Sequence, residues 1–195
     1  MNHLAHFFLS CENDDRLIGN FIADYIRNKE VANYSAAVQE GIALHRKIDT
    51  FTDTHPIVKQ GTRRLQTHHH KYAPVVLDIL YDNILVKNWS RYSGQSLSFF
   101  TKNVYQILEG RMDELPTKLQ RRLPLMIADN WLERYGTDDG LRFVLAKMDE
   151  RTRFPSNFTA AVEHLKADYE LFETEFNQFF PELVAYVEQE CLSCE

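Results

Sequence analysis

The chain has 195 residues, 44% apolar and 26% charged, with a formal net charge of -6 and a pI near 5.8. A chain of this length and balance buries one core without disulfides or a structural metal, so any metal it takes serves chemistry rather than folding. The acidic balance disfavours nucleic acid as a partner, because phosphate neutralisation needs a basic surface. No apolar run approaches the ~18 residues of a membrane span, so no membrane partner is expected either.

The first residues, Met1 to His6, carry no basic leader followed by a long apolar core, and a cytoplasmic protein is expected. Asp14 opens a predicted helix reaching about Asn28, and Ser35 caps one reaching about Phe51. Thr54 with Pro56 opens the next helix, and Pro74 starts one ending near Trp89, since proline is tolerated in a first turn. Asp113 with Pro116, then Thr137, then Ser156 open later helices, while Pro124 and Pro181 are expected to break or kink theirs. Strand-like alternation is nearly absent, and apolar residues recur at three- and four-residue spacing throughout. The expected fold is all-α: a compact single-domain bundle of about eight to ten helices over residues 1–195. Cys191-Leu192-Ser193-Cys194 has CxxC spacing but no second pair, and reads as a free thiol tail in a reducing compartment.

Four pairs of ligand-type residues stand at i and i+4 in the first 82 residues: Asn2/His6, Asn20/Asp24, His45/Asp49 and Asp78/Asp82. On a helix each pair shares a face. On the wheel Asp78 and Asp82 fall on an apolar side with Val75, Leu85 and Trp89, and His45 and Asp49 with Val38, Ile42 and Thr52. Asp53 joins that second side if the helix runs on. Inward carboxylates close together are unfavourable unless a cation or a proton relieves them. Any single pair is more often a salt bridge, cap or hydrogen-bonded core group. Several pairs on apolar faces favour a divalent metal with mixed imidazole and carboxylate ligands. Arg63-Arg64 and Arg121-Arg122 are candidate basic patches, with solvated helix faces the plainer reading, and His68-His69-His70 reads as an exposed helix end. Phe172, Phe176, Phe179 and Phe180 read as core or interface.

In order and spacing, these residues resemble the acyl carrier protein phosphodiesterase family. The resemblance rests on Met1-Asn2-x-Leu4-Ala5-His6, Gly19-Asn20-x-x-Ala23-Asp24 and Gly41-Ile42-x-x-His45-Arg46-x-Ile48-Asp49-x-x-Thr52-Asp53. Ala73-Pro74, Leu77-Asp78, Asp82 and Trp89 extend it, with weaker echoes in Trp131-Leu132-x-Arg134-Tyr135 and in Arg151 to Arg153. The family implies removal of the 4'-phosphopantetheine arm from holo-acyl carrier protein by phosphodiester hydrolysis. It also implies an all-helical relation to HD-type metal phosphohydrolases, with manganese as the metal. This chain has no adjacent His-Asp doublet. Carried over by position, Asp24, His45, Asp49 and Asp78 are the implied ligands, with His6 next, and Asp82 and Asn20 are groups that either support the ligands from behind or position water. Arg46 or Arg153 is the expected partner of a non-bridging phosphate oxygen. Two other readings stay open: a phosphohydrolase of nucleotides or other small phosphoesters, and a non-catalytic helical interaction module.

Overall fold

A computed structural model describes residues 1–150 and 157–192; Arg153 and Ser156, singled out above, lie outside the described residues. Twelve α-helices and no strand occur among them: α1 (His3–Phe8), α2 (Asp14–Ile22), α3 (Ala36–Thr54), α4 (Pro56–His69), α5 (Ala73–Lys87), α6 (Trp89–Tyr92), α7 (Leu97–Gly110), α8 (Thr117–Ala128), α9 (Trp131–Arg134), α10 (Asp138–Asp149), α11 (Ala161–Ala167) and α12 (Tyr169–Leu192). The count exceeds eight to ten because α6 and α9 are four-residue turns, too short to show a period in sequence. Ser35 and Thr137 cap as expected, accepting from the Val38 and Gly140 N–H groups at 3.3 and 3.1 Å.

Of the breaks or kinks expected at two prolines, the breaks do not occur. Pro124 lies inside α8 and Pro181 inside α12, and neither ends its helix. In α12 the buried faces of Phe172, Phe176, Phe179, Phe180 and Leu183 run on both sides of Pro181. Their packing outweighs the one lost backbone hydrogen bond.

The arrangement around the site follows from two close contacts. Helices α2 and α3 cross at Gly19 and Gly41. A Cβ on Gly19 would stand 2.1 Å from the Val38 carbonyl oxygen, and one on Gly41 would stand 2.4 Å from that of Arg16. Only glycine permits main chain to meet main chain this closely. Helix α5 is the axial element, buried around most of its circumference from Ala73 through Leu85. On its other flanks lie α4 and α12, joined by a two-pronged ion pair from the Arg64 guanidinium to Glu175 at 2.9 and 2.6 Å. Arg64 is therefore a structural cation, and of the Arg63-Arg64 patch only Arg63 is left exposed.

Cys191 is not a free thiol. At the end of α12, it is disulfide-bonded to Cys11 in the turn after α1, with their Cα atoms 6.0 Å apart and a sequence separation of 180. By chain entropy alone, closing a loop that long is worth about 5 kcal/mol. The expectation of a free thiol failed for Cys191 because the pairing joins opposite ends of the sequence, where spacing carries no signal; Cys194 lies outside the described residues.

Candidate metal centre

Helix α1 is short, and its start is held from outside. Asp82 of α5, fully buried, accepts from the Leu4 N–H at 3.0 Å and the Ala5 N–H at 3.2 Å. These are donors that a helix N-terminus leaves unpaired, and the negative charge suits the positive end of the helix. Burial pushes the Asp82 carboxyl up to about 7 against the pull of those two N–H groups. Asn2, just before α1, donates its amide to the Tyr135 hydroxyl at 2.7 Å. Trp131 donates to the same hydroxyl at 2.9 Å. The distant Trp131–Tyr135 segment thus buttresses the helix that carries His6.

His6 and His45 stack with ring centroids 4.0 Å apart and planes 15° from parallel. Between their Nδ1 atoms sits the Asn20 side-chain oxygen, 2.8 Å from His6 and 3.0 Å from His45. The orientation of that amide is fixed. Its nitrogen donates to the His6 carbonyl at 2.8 Å and the Ser10 hydroxyl at 3.1 Å, and a carbonyl can only accept. Both imidazoles therefore carry a proton on Nδ1 and turn Nε2 the same way, toward Asp49.

At Asp49 the two rings differ. His6 Nε2 lies 3.1 Å from Asp49 Oδ1 and 3.1 Å from the Met1 carbonyl oxygen. Burial drives the His6 pKa down to about 4, so the neutral ring aims a lone pair at two oxygen acceptors. His45 Nε2 lies 3.1 Å from Asp49 Oδ2 and 3.3 Å from Asp24 Oδ1. Burial opposes its charge, but hydrogen bonds to Asp24 and Asp49 outweigh burial and raise His45 to about 9. Asp49, despite burial, is held well below the usual carboxylate range by the hydrogen bond from His45 and the charge of the Met1 amino group.

The donor chemistry fits a cation. One atom each of His6, His45 and Asp49 lie within 4.8 Å of one another. Two imidazole nitrogens and a carboxylate are a donor set for a divalent transition metal, with Asn20 behind both rings as the outer partner that fixes their tautomer. A cation there would also relieve the facing acceptors around His6 Nε2.

The other predicted residues are placed unevenly. Asp24 reaches His45 although α2 stops at Ile22 and a 3-10 turn, Ala23–Tyr25, carries it. Its side chain is 66% exposed, and the hydrogen bond to His45 lowers its pKa. Asp78 stands at the edge of the cluster, with Oδ1 3.2 Å from the Met1 amino group, which also lies 3.4 Å from Asp49 Oδ1. Burial raises the Asp78 pKa against the pull of that amino group. The wheel used for Asp78 misassigned Val75, which is exposed, because α5 is buried on nearly every side and has no single apolar stripe. Arg46 points to solvent and donates to Asn28 at 2.8 Å. The roles of Ser10, Tyr135 and the Met1 backbone are not legible in the sequence, because they act through contacts no spacing encodes.

The family profile described as "Acyl carrier protein phosphodiesterase" matches residues 1–183. A protein of that name from Photorhabdus laumondii is 32% identical over 195 residues, covering 100% of this chain and 98% of the relative. Its namesake in Serratia proteamaculans is 30% identical over 185 residues, covering 94% of this chain and 96% of the relative. The namesake in Yersinia enterocolitica is 29% identical over 186 residues, covering 95% and 96%. No solved structure matches this chain significantly.

Proposed function

Because this chain belongs to the acyl carrier protein phosphodiesterase family, we propose that it hydrolyses the phosphodiester joining the 4'-phosphopantetheine arm to the serine of holo-acyl carrier protein. The products are the free phosphorylated arm and the apo carrier. The observation that carries this reading is the family match along 183 residues. The convergence of His6, His45 and Asp49 supports it with the donor set that such chemistry needs.

His6, His45 and Asp49 would hold the divalent ion, with Asp24 and Asp78 at the margins able to complete its shell; manganese is the ion we assign. Such an ion supplies positive charge for the phosphate oxygens and lowers the pKa of a water. The chain's own contribution is orientation. Asn20 holds both Nδ1–H groups, so neither ring is free to turn. Asp82 holds the start of α1 and thereby the height of His6 along the cluster. We assign Asn20 and Asp82 to positioning, since the polar atoms of both are already committed within the protein. In place of an adjacent His-Asp doublet, His45 and Asp49 meet one helical turn apart, which keeps a relation to HD-type phosphohydrolases physically reasonable.

The test is intact-mass measurement of holo-acyl carrier protein incubated with chelator-treated enzyme, with and without manganese. The expected result is a manganese-dependent fall to the apo mass. Holo-carrier that stays intact with folded enzyme and manganese, magnesium, zinc or ferrous iron would overturn the reading. Cleavage of small phosphoesters in that same experiment would redirect it to them.

A further inference from the structure

A cleft of about 270 Å³ opens beside Asp78, between the end of α3, one face of α4 and the first turn of α5. Lys59 and Arg63 of α4 line it one helical turn apart, with Thr62 beside them. Asp53 and Asp78 line it as well, and Val58 and Pro74 are its apolar members. Asp78, which lines the cleft, connects it to the metal centre through the Met1 amino group. Asp53 is one turn along α3 from Asp49, and the Met1 amino group touches Asp78 at 3.2 Å and Asp49 at 3.4 Å.

We infer that Lys59, Thr62 and Arg63 form the subsite for the phosphate group of the substrate, gripping its non-bridging oxygens next to Asp78; the inference rests on the proposed function for the substrate's identity.

Two cations on one helix face repel each other slightly, and here neither has an ion-pair partner within 4.0 Å among the described residues, although the neighbouring Arg64 has one in Glu175. Asp53 and Asp78 share the cleft with them but form no ion pair with either cation. What separates the four charges is space. At ~30 Å³ per water, the cleft equals about nine water molecules, enough for a phosphate and the first atoms of its ester arms. The planar guanidinium of Arg63 suits two phosphate oxygens at once, while the Lys59 ammonium supplies a compact point charge. The Thr62 hydroxyl, half-buried, adds a neutral donor. Were these cations present only to balance Asp53 and Asp78, their loss would change stability and leave anion affinity alone.

The test uses the manganese-loaded full chain, Lys59→Ala/Arg63→Ala and Arg63→Lys, with inorganic phosphate and 4'-phosphopantetheine as probes. Wild-type melting temperature is expected to rise with phosphate, and the double variant to lose that rise while keeping its response to manganese. Inhibition by 4'-phosphopantetheine should weaken at least tenfold in the double variant, with Arg63→Lys recovering part of it. A wild type that shows no phosphate response, or a double variant that keeps it, overturns the subsite. So does a variant altered only in KM for holo-carrier and its salt dependence, which would place these cations against the acidic carrier surface instead. If wild type leaves holo-carrier intact but the phosphate response still depends on Lys59 and Arg63, the subsite stands and the substrate assignment falls.

Discussion

Replacing Asn20 with alanine separates the holding of the imidazoles from the ligation itself. The change deletes one acceptor shared by two buried Nδ1–H groups and two donors, to the His6 carbonyl and to Ser10. The His6 carbonyl keeps the Ser10 hydroxyl at 2.8 Å, so the uncompensated groups are the two ring N–H donors. At roughly 1–3 kcal/mol for each buried donor left unpaired, the expected loss of stability is about 2–4 kcal/mol after partial relaxation. Freed from their shared anchor, the rings are able to turn or change tautomer. Loss of such an outer partner weakens metal binding about 10–100-fold. Urea unfolding reads the first quantity and calorimetric manganese titration the second. Ser10→Ala is the control, because it removes a partner of the amide nitrogen and leaves both ring contacts in place. Manganese affinity unchanged in Asn20→Ala would refute the argument. Equal weakening in Ser10→Ala would show that the effect comes from general loosening rather than from the rings.

Asp82→Ala should lose about 3 kcal/mol in urea unfolding, because the Leu4 and Ala5 N–H groups stay buried without an acceptor. Asp82→Asn, which keeps one acceptor, should lose clearly less, and equal losses would argue against the capping role. His3 packs against the Phe21 and Phe7 rings with centroids 5.7 and 6.3 Å away, and burial lowers its pKa from 6.5 to about 4. Between those values the unfolded chain takes up a proton that the folded one refuses. Stability is therefore full above pH 6.5 and falls by up to about 3 kcal/mol as the pH drops toward 4. His3→Phe should flatten the melting temperature between pH 4.5 and 7, and an unaltered slope would exclude His3 as its source.

Much of the architecture was legible because it is local. Ser35 and Thr137 announce helix starts through a hydroxyl that meets an N–H three residues on, and the His45/Asp49 spacing is one turn of a helix that does form. What escaped is long-range. Cys11 and Cys191 meet across the whole sequence, and Asp82 looked like a site carboxylate because only the fold reveals α1 starting against it. Arg63 and Arg64 are adjacent in sequence and opposite in use, one exposed at the cleft and one bound to Glu175. Pattern cannot separate neighbours whose partners lie more than a hundred residues away. The prolines of α8 and α12 carry the same lesson, since a strong local rule yielded to tertiary packing.

The glycine crossing of α2 and α3 bears on how the metal centre can be engineered. Asn20 follows Gly19 directly and His45 lies one turn after Gly41, so the span between anchor and ring is fixed where two main chains touch. Repacking with larger or smaller residues tunes most helix pairs, but at the Gly19 and Gly41 crossing main chain meets main chain and there is no side chain to exchange. A designer wanting the centre to accept a wider or narrower ion has to leave that junction alone and alter the donors themselves, at Asp24, Asp49 or Asp78, where the side chains reach the rim.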